Sequence, residues 1–249
     1  MSPRAESPRA EPDSEIVTLP SGPTQLAWRR NARARRVSLR IDPSAGAIIV
    51  TLPMRASRKA GMALVMGHAD WIAQRLAALP PAITLTDGAE VPIGGVPHRI
   101  RHHATPLATP PGGRRGFAWI EDGALHVTGA AEFLPRRVKD FLRGEAKTRL
   151  AAIVRDKAAA AGVSPSRIMV KDTTSRWGSC APDRTLSFSW RLVMAPDHVQ
   201  DYVAAHEVAH LRHMNHGPDF WSLVASLTDH TSRAMTWLRR EGPRLLRVG

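Results

Sequence analysis

The sequence predicts an α+β fold, with a β-rich basic N-terminal portion and a helical C-terminal portion. Three observations carry that expectation. Short segments rich in Val and Ile recur through the first half, punctuated by Pro, Gly and Asp. Residues 134–161 place apolar side chains at helical spacing. After Pro196 a further helical stretch runs into a cluster of histidines.

In chain order, residues 2–6 and 7–11 repeat SPRAE, and residues 1–22 read as a disordered tail with almost nothing to bury. Segments 36–41 and 47–52 flank the turn-prone DPSAG, which predicts a β-hairpin with arginines on its outer face. Residues 56–79 follow with helical spacing at Leu64, Ala69, Ile72 and Leu76, and stop at Pro80-Pro81. Strands are expected at 90–93, 98–101, 117–120 and 124–127, interrupted by an exposed loop, ATPLATPPGGRRG, at 104–116. His98, His102, His103 and His126 lack ligand-like spacing and read as ordinary strand or surface residues. These elements make residues 23–135 the β-rich basic portion and residues 136–249 the helical one, with no clean linker between them. One α+β unit is therefore expected.

The helix at 134–161 carries Val138, Phe141, Leu142, Leu150, Ile153 and Val154, and Gly162 with Pro165 closes it. Strands at 167–171 and 186–193 flank TTSRWGSCAPDR. Pro196 suits the first position of the next helix, Gly217-Pro218 starts another, and a last amphipathic stretch covers 232–246.

The totals narrow the class. The chain has 249 residues, enough for one sizeable domain or two small ones. Its 35 Lys and Arg against 22 Asp and Glu leave a net charge of +13, which favours polyanions as partners but equally describes an Arg-rich solvated surface. One cysteine, Cys180, excludes an internal disulfide framework and fits a reducing compartment. The N-terminus lacks the apolar run of a signal peptide, and no stretch approaches the roughly 18 apolar residues of a membrane span. A soluble cytoplasmic protein is expected.

Chemistry concentrates in HEVAHLRHMNH, residues 206–216, with four histidines and one glutamate. On a helix, positions four apart lie on one face about 6 Å apart, so the imidazoles of His206 and His210 can converge on one ion. Zinc takes such nitrogens at roughly 2.0–2.1 Å, and a catalytic site needs a third protein ligand plus an open position for water. His213 shares the face, but seven residues of helix put it about 10 Å from His206 along the axis. Nitrogens around one tetrahedral zinc lie only about 3.3 Å apart, so the third ligand must come from chain that has left the helix. His216 fits, with Asn215 and Gly217 able to turn the chain through left-handed conformations. Glu241, the only glutamate after Glu207, is the other option. Glu207 sits beside the ligand pair, placed to act as general base rather than as ligand. A structural zinc site would have no use for it.

At these residues the chain resembles the YgjP-like metallopeptidase family, relatives of the SprT-like and WLM zinc proteases. The matching pieces are RWGSC (176–180), SFSWRLVMAP (187–196) and HEVAHLRHMNHGPDFW (206–221), with the arginine-rich hairpin at 29–52 and the Trp71-Ile72 helix also similar. The likeness spans about residues 24–240. It implies a zincin-like catalytic unit made of a backing helix, a small sheet and the HExxH helix. It also implies His206, His210 and His216 as ligands of one zinc, and Glu207 as base.

The expected function is hydrolysis of extended or unfolded polypeptide. Arg176 and Trp177 are candidates to line the cleft, or else form a packed turn with the Arg stem over Trp. Cys180 reads as a small packing residue, Tyr202 as core-facing, His213 as an exposed helical residue, and Asp219 as a favourable charge at a helix start. Two other functions use the same features. One is a metal-dependent phosphohydrolase or nucleotide pyrophosphatase drawing on the positive charge. The other is a nucleic-acid-associated module with a structural zinc, recruiting through Arg29, Arg30, Arg33, Arg35, Arg36 and Arg40.

Overall fold

The structure is a computed structural model that describes residues 13–20, 22–104, 117–173 and 176–249. The first twelve residues of the expected tail, and the expected loop from residue 105 on, lie outside the described residues. Helices and mixed sheets alternate, as the α+β expectation requires. No helix among the described residues is long and apolar enough to cross a membrane. The chain divides into two compact units, residues 1–79 and 80–249, each with its own core.

In the first unit, β1 (Ser14–Leu19), β2 (Gly22–Arg30), β3 (Ser38–Asp42) and β4 (Ala47–Leu52) form a sheet in the order β1-β2-β4-β3. The 38–42 and 47–52 strands pair antiparallel, as the hairpin pattern predicts, while β2 runs parallel to β4. Strand β1 corrects the expected tail: residues 14–19 are ordered because Val17 and Leu19 alternate with exposed neighbours and are buried in the sheet's apolar face. Over that face lie α1 (Arg58–Gly67) and α2 (Ala69–Ala77), where one helix was expected. The break falls at His68, whose φ of −120° and ψ of 21° are not helical. Leu26, Trp28, Ile48, Val50 and Leu52 meet Val65 and Ile72 in the core. Gly61 lets α1 lie on Trp28, since a Cβ there would come within 2.5 Å of the indole.

In the second unit, β5 (Glu90–Ile93), β6 (Val96–His103), β7 (Ala118–Glu121) and β8 (Ala124–Thr128) form a sheet in the order β5-β6-β8-β7. The sequence pattern groups these strands with the arginine hairpin, yet Val91, Ile100, Leu125 and Val127 share their core with the helices that follow. The bounds expected at 135/136 and those of the two cores therefore do not coincide. Next come α3 (Leu134–Ala160), β9 (Arg167–Lys171), β10 (Gly178–Cys180) and β11 (Thr185–Ser189), then α4 (Asp197–Ala209), α5 (Pro218–Leu227) and α6 (Thr231–Leu245).

Helix α3 buries Leu134, Val138, Leu142, Ala146, Leu150, Val154 and Ala158, a stripe spaced strictly by four. With 3.6 residues per turn such a stripe drifts about 40° at each step, so it spirals around the helix. One helix can thus touch β7, β8, β9, the turn at 190–194 and α4. The expected strand at 186–193 stops at Ser189, and Trp190–Met194 form a 3-10 turn instead. All five of its side chains are buried, whereas a strand would send alternate ones outward. Within it the Arg191 guanidinium, 3% exposed, is neutralised by Asp172. Lys157 of α3 pairs with Asp201 of α4 at 2.6 Å, and Thr228, just after α5, donates to the same carboxylate. Three helices are tied at one carboxylate.

Candidate metal centre

Helix α4 is buried on nearly all sides, from Val199 and Gln200 through Val208 and Ala209, so its orientation is fixed before any ligand is considered. It stops at Ala209 with His210 as C-cap, one turn earlier than an unbroken helix through His213. The chain then coils back through Leu211 N–H to the Val208 carbonyl and His213 N–H to the Ala209 carbonyl. The expected left-handed turn at Asn215 and Gly217 is absent. Gly217 has an ordinary negative φ of −79°, and the positive-φ non-glycine residues among those described are Asp122 and Arg184. The early end of α4 supplies the change of direction by itself.

That path brings His206, His210 and His216 together, with one ligand nitrogen from each lying within 4.8 Å of the others. Nε2 of His206 and Nε2 of His216 are 3.2 Å apart, matching the roughly 3.3 Å between nitrogens on a tetrahedral zinc. Phe220 of α5 is fully buried against all three imidazoles, with ring centroids 5.0, 4.6 and 4.7 Å away. It closes the apolar side of the site.

Proton placement suits ligation. Nδ1 of His210 lies 3.0 Å from the His213 carbonyl, which only accepts, so Nδ1 carries the proton and Nε2 keeps its lone pair. Burial, reinforced by His210 and His216, pushes the His206 pKa down to about 4, and burial lowers that of His210 as well. Both imidazoles are neutral at physiological pH. Nδ1 of His206 is buried without a partner among the described residues.

Glu207, 6% exposed, follows His206 on the same helix. Burial pushes its pKa up to about 7, with the Arg176 charge opposing the rise. Its carboxylate lies against β10 at Gly178, where a Cβ would come 2.5 Å from Oε1. Only glycine permits that approach.

The other sequence candidates separate in space. Arg176 is exposed and acts on Glu207 through its charge. Trp177 is half-buried and packs on Gly242 of α6, where a Cβ would sit 3.1 Å from the indole. The imidazole of His213 is not among the converging groups; its backbone carbonyl is the part that matters. Cys180, in β10, is half-buried, and burial followed by the charge of Glu207 raises its pKa. Tyr202 is buried with its ring 5.9 Å from that of His206. Asp219 lies in the first turn of α5. The sequence reading missed Gly178, Phe220 and the His213 carbonyl. A glycine inside a strand is the one signal that could have flagged the first of these.

Three imidazoles with nitrogens meeting at one point are a donor set that could hold a divalent first-row metal such as zinc, which points to the class of metal-binding proteins. The particular family follows from comparison with known proteins. The model of the YgjP-like metallopeptidase domain matches residues 35–241, and the chain belongs to that family. It is accordingly a metallopeptidase-family hydrolase. Among solved structures, the metallopeptidase zymogen of Pyrococcus abyssi abylysin is similar at 17% identity, over 36% of this chain and 96% of that one, with a TM-score of 0.33. No curated protein matches the chain significantly.

Proposed function

We infer that the chain is a zinc-dependent peptidase that holds one zinc through His206, His210 and His216 and uses Glu207 as general base. The observation that carries this reading is the 3.2 Å approach of His206 Nε2 to His216 Nε2 across ten residues of chain. Zinc held there would act as a Lewis acid, bringing the pKa of water toward about 7 and polarising a carbonyl. The remaining work falls to the chain. Glu207, with its pKa near 7 through burial, takes a proton from the attacking water at neutral pH and passes it to the leaving amine. His213 fixes the tautomer of His210 through its carbonyl, and Phe220 keeps water off one side of the triad.

The arrangement fits a zincin-like unit, with α3 as backing helix, β9–β11 as small sheet and α4 as the HExxH helix. Strand β10 stands at the edge of the sheet order β10-β11-β9 and touches Glu207 through Gly178. An extended polypeptide pairing with that edge would lie across the carboxylate, so the substrate is an extended or unfolded segment. Arg176 is assigned to the cleft through its charge on Glu207.

The test is mass spectrometry of a denatured protein incubated with the zinc-loaded enzyme, with Glu207→Gln as matched control. Fragments from the wild type alone are expected. Silence from both, with zinc confirmed bound, overturns the peptidase reading and directs the search to phosphate-ester substrates.

A further inference from the structure

We propose that one end of the first unit's sheet is a nucleic-acid-binding surface that grips the phosphodiester backbone without sequence preference. The proposal concerns residues outside the metal centre and does not depend on the peptidase reading. Between Glu15 and Asp70 the chain carries nine Lys and Arg and a single acidic residue, Asp42.

The topology gathers these charges. Strand β2 runs parallel to β4, with Arg30 opposite Leu52, and β3 begins opposite Thr51. The β2–β3 connection, with Arg33, Arg35 and Arg36, therefore leaves the sheet at the same end as the β4–α1 connection with Arg55, which leads into Arg58 and Lys59 at the start of α1. Arg30 joins the two, its Nη1 donating to the Met54 and Ala56 carbonyls, each at 3.0 Å. The first connection is ordered by Asn31, whose side chain accepts from Arg33 N–H at 2.9 Å and whose carbonyl accepts from Ala34 N–H at 3.0 Å. Arg29 and Arg40 extend the field along the sheet face away from the helices. Arg29 is level with Thr51, and Arg40 is level with Ile49, two residues earlier on β4.

These cations are displayed rather than used internally. Arg29, Arg33, Arg35, Arg36, Arg40, Arg55 and Lys59 are exposed, and none pairs with a carboxylate among the described residues. The second unit is more evenly balanced, with 23 Lys and Arg against 16 Asp and Glu in residues 80–249, and Arg136, Arg143, Arg149, Lys157, Arg191 and Arg240 each lie beside one of those carboxylates. Several guanidinium forks at one edge match the repeated charge of a phosphodiester chain, whose oxygens they bind bidentately. An anionic membrane fits less well, because across residues 29–40 and 53–59 Met54 is the one large apolar side chain exposed, too little for insertion.

Fluorescence anisotropy of the full chain with a labelled mixed-sequence oligonucleotide tests this. Wild type is expected to bind, with affinity falling steeply from low to moderate salt. Arg33→Glu/Arg35→Glu/Arg36→Glu should bind at least ~10-fold more weakly at low salt, and its salt slope should be shallower by about 2. The charge-matched control, Arg136→Glu/Arg155→Glu/Arg239→Glu, removes exposed arginines of the second unit and should lose far less. Equal loss in both triples would reduce the effect to net charge and overturn the proposal. So would no binding by wild type, or capture by phosphatidylserine vesicles without oligonucleotide binding. Circular dichroism confirms that each variant is folded, and zinc content reads the other site separately.

Discussion

The two units solve the same problem, covering a sheet with helices, and differ in how far their positive charge is balanced by carboxylates. In residues 80–249 carboxylates are frequent, and six cations among the described residues lie beside one, down to Arg191, buried at 3% exposure and held by Asp172. In residues 13–79 a small core of Leu26, Trp28, Ile48 and Val50 carries a rim on which Arg29, Arg33, Arg35, Arg36, Arg40 and Arg55 have no acidic partner among the described residues. Buried charge must be paired because desolvation costs several kcal/mol per ion, whereas an exposed charge stays solvated and keeps its field for a partner. Pairing therefore marks the unit that must hold a rigid site. Unpaired charge marks the one available for a polyanion.

Four variants break or sharpen that contrast, beginning with the largest effect. Glu207→Gln should lower peptide hydrolysis by about 10²–10⁴-fold or more while zinc stays bound, measured by turnover beside metal analysis. If the arginine rim were the catalytic face, this change would leave turnover intact. Leu142→Ala opens a cavity beneath α3 and should cost the second unit about 2–5 kcal/mol in urea unfolding, because Leu142 is fully buried. Gly178→Ala drives a methyl group into Glu207 and should lower turnover on the order of 10²-fold with zinc retained. Unchanged turnover would show that β10 has room to move.

The smallest effect is acid sensitivity at Asp172. Burial works to raise its pKa, but the hydrogen bond and charge of Arg191 outweigh that and hold it below the ordinary 3.8. A depressed carboxylate contributes stability that is present above its unfolded value and is lost as pH falls through its folded value. Wild type should therefore lose stability below about pH 4, and Asp172→Asn should flatten that part of the curve. Denaturation midpoints at pH 5 and pH 3 check this. A curve of the same shape in both proteins would mean that Arg191 is held by the Val248 carbonyl, 3.2 Å away, rather than by charge.

Much of the fold was legible because the signals are local. The i+4 stripe of α3, the DPSAG turn and the closing Gly162 each act within a few residues of themselves. Three things were not legible. Residues 14–19 look like tail until β2 supplies a partner, because Val17 and Leu19 are too few to declare a strand alone. Residues 190–194 look like strand, since β-branched and aromatic residues suit both a strand and a wholly buried turn. The strands at 90–128 were grouped with the hairpin by composition, although their buried faces belong to the core of α3.

For the site, the sequence by itself offered the candidate residues, His206 and His210 through helical spacing with Glu207 beside them, and His216 within the reach of a few residues. The tertiary structure decided the rest. It ended α4 at Ala209 so that His216 could fold back, set the His210 tautomer through a carbonyl, and pressed Gly178 against Glu207. It also gathered Arg33, Arg35, Arg36, Arg55 and Lys59 at one end of a sheet. Side-chain chemistry travels with the residue, whereas burial, close approach and the company of distant residues exist only after the chain has packed.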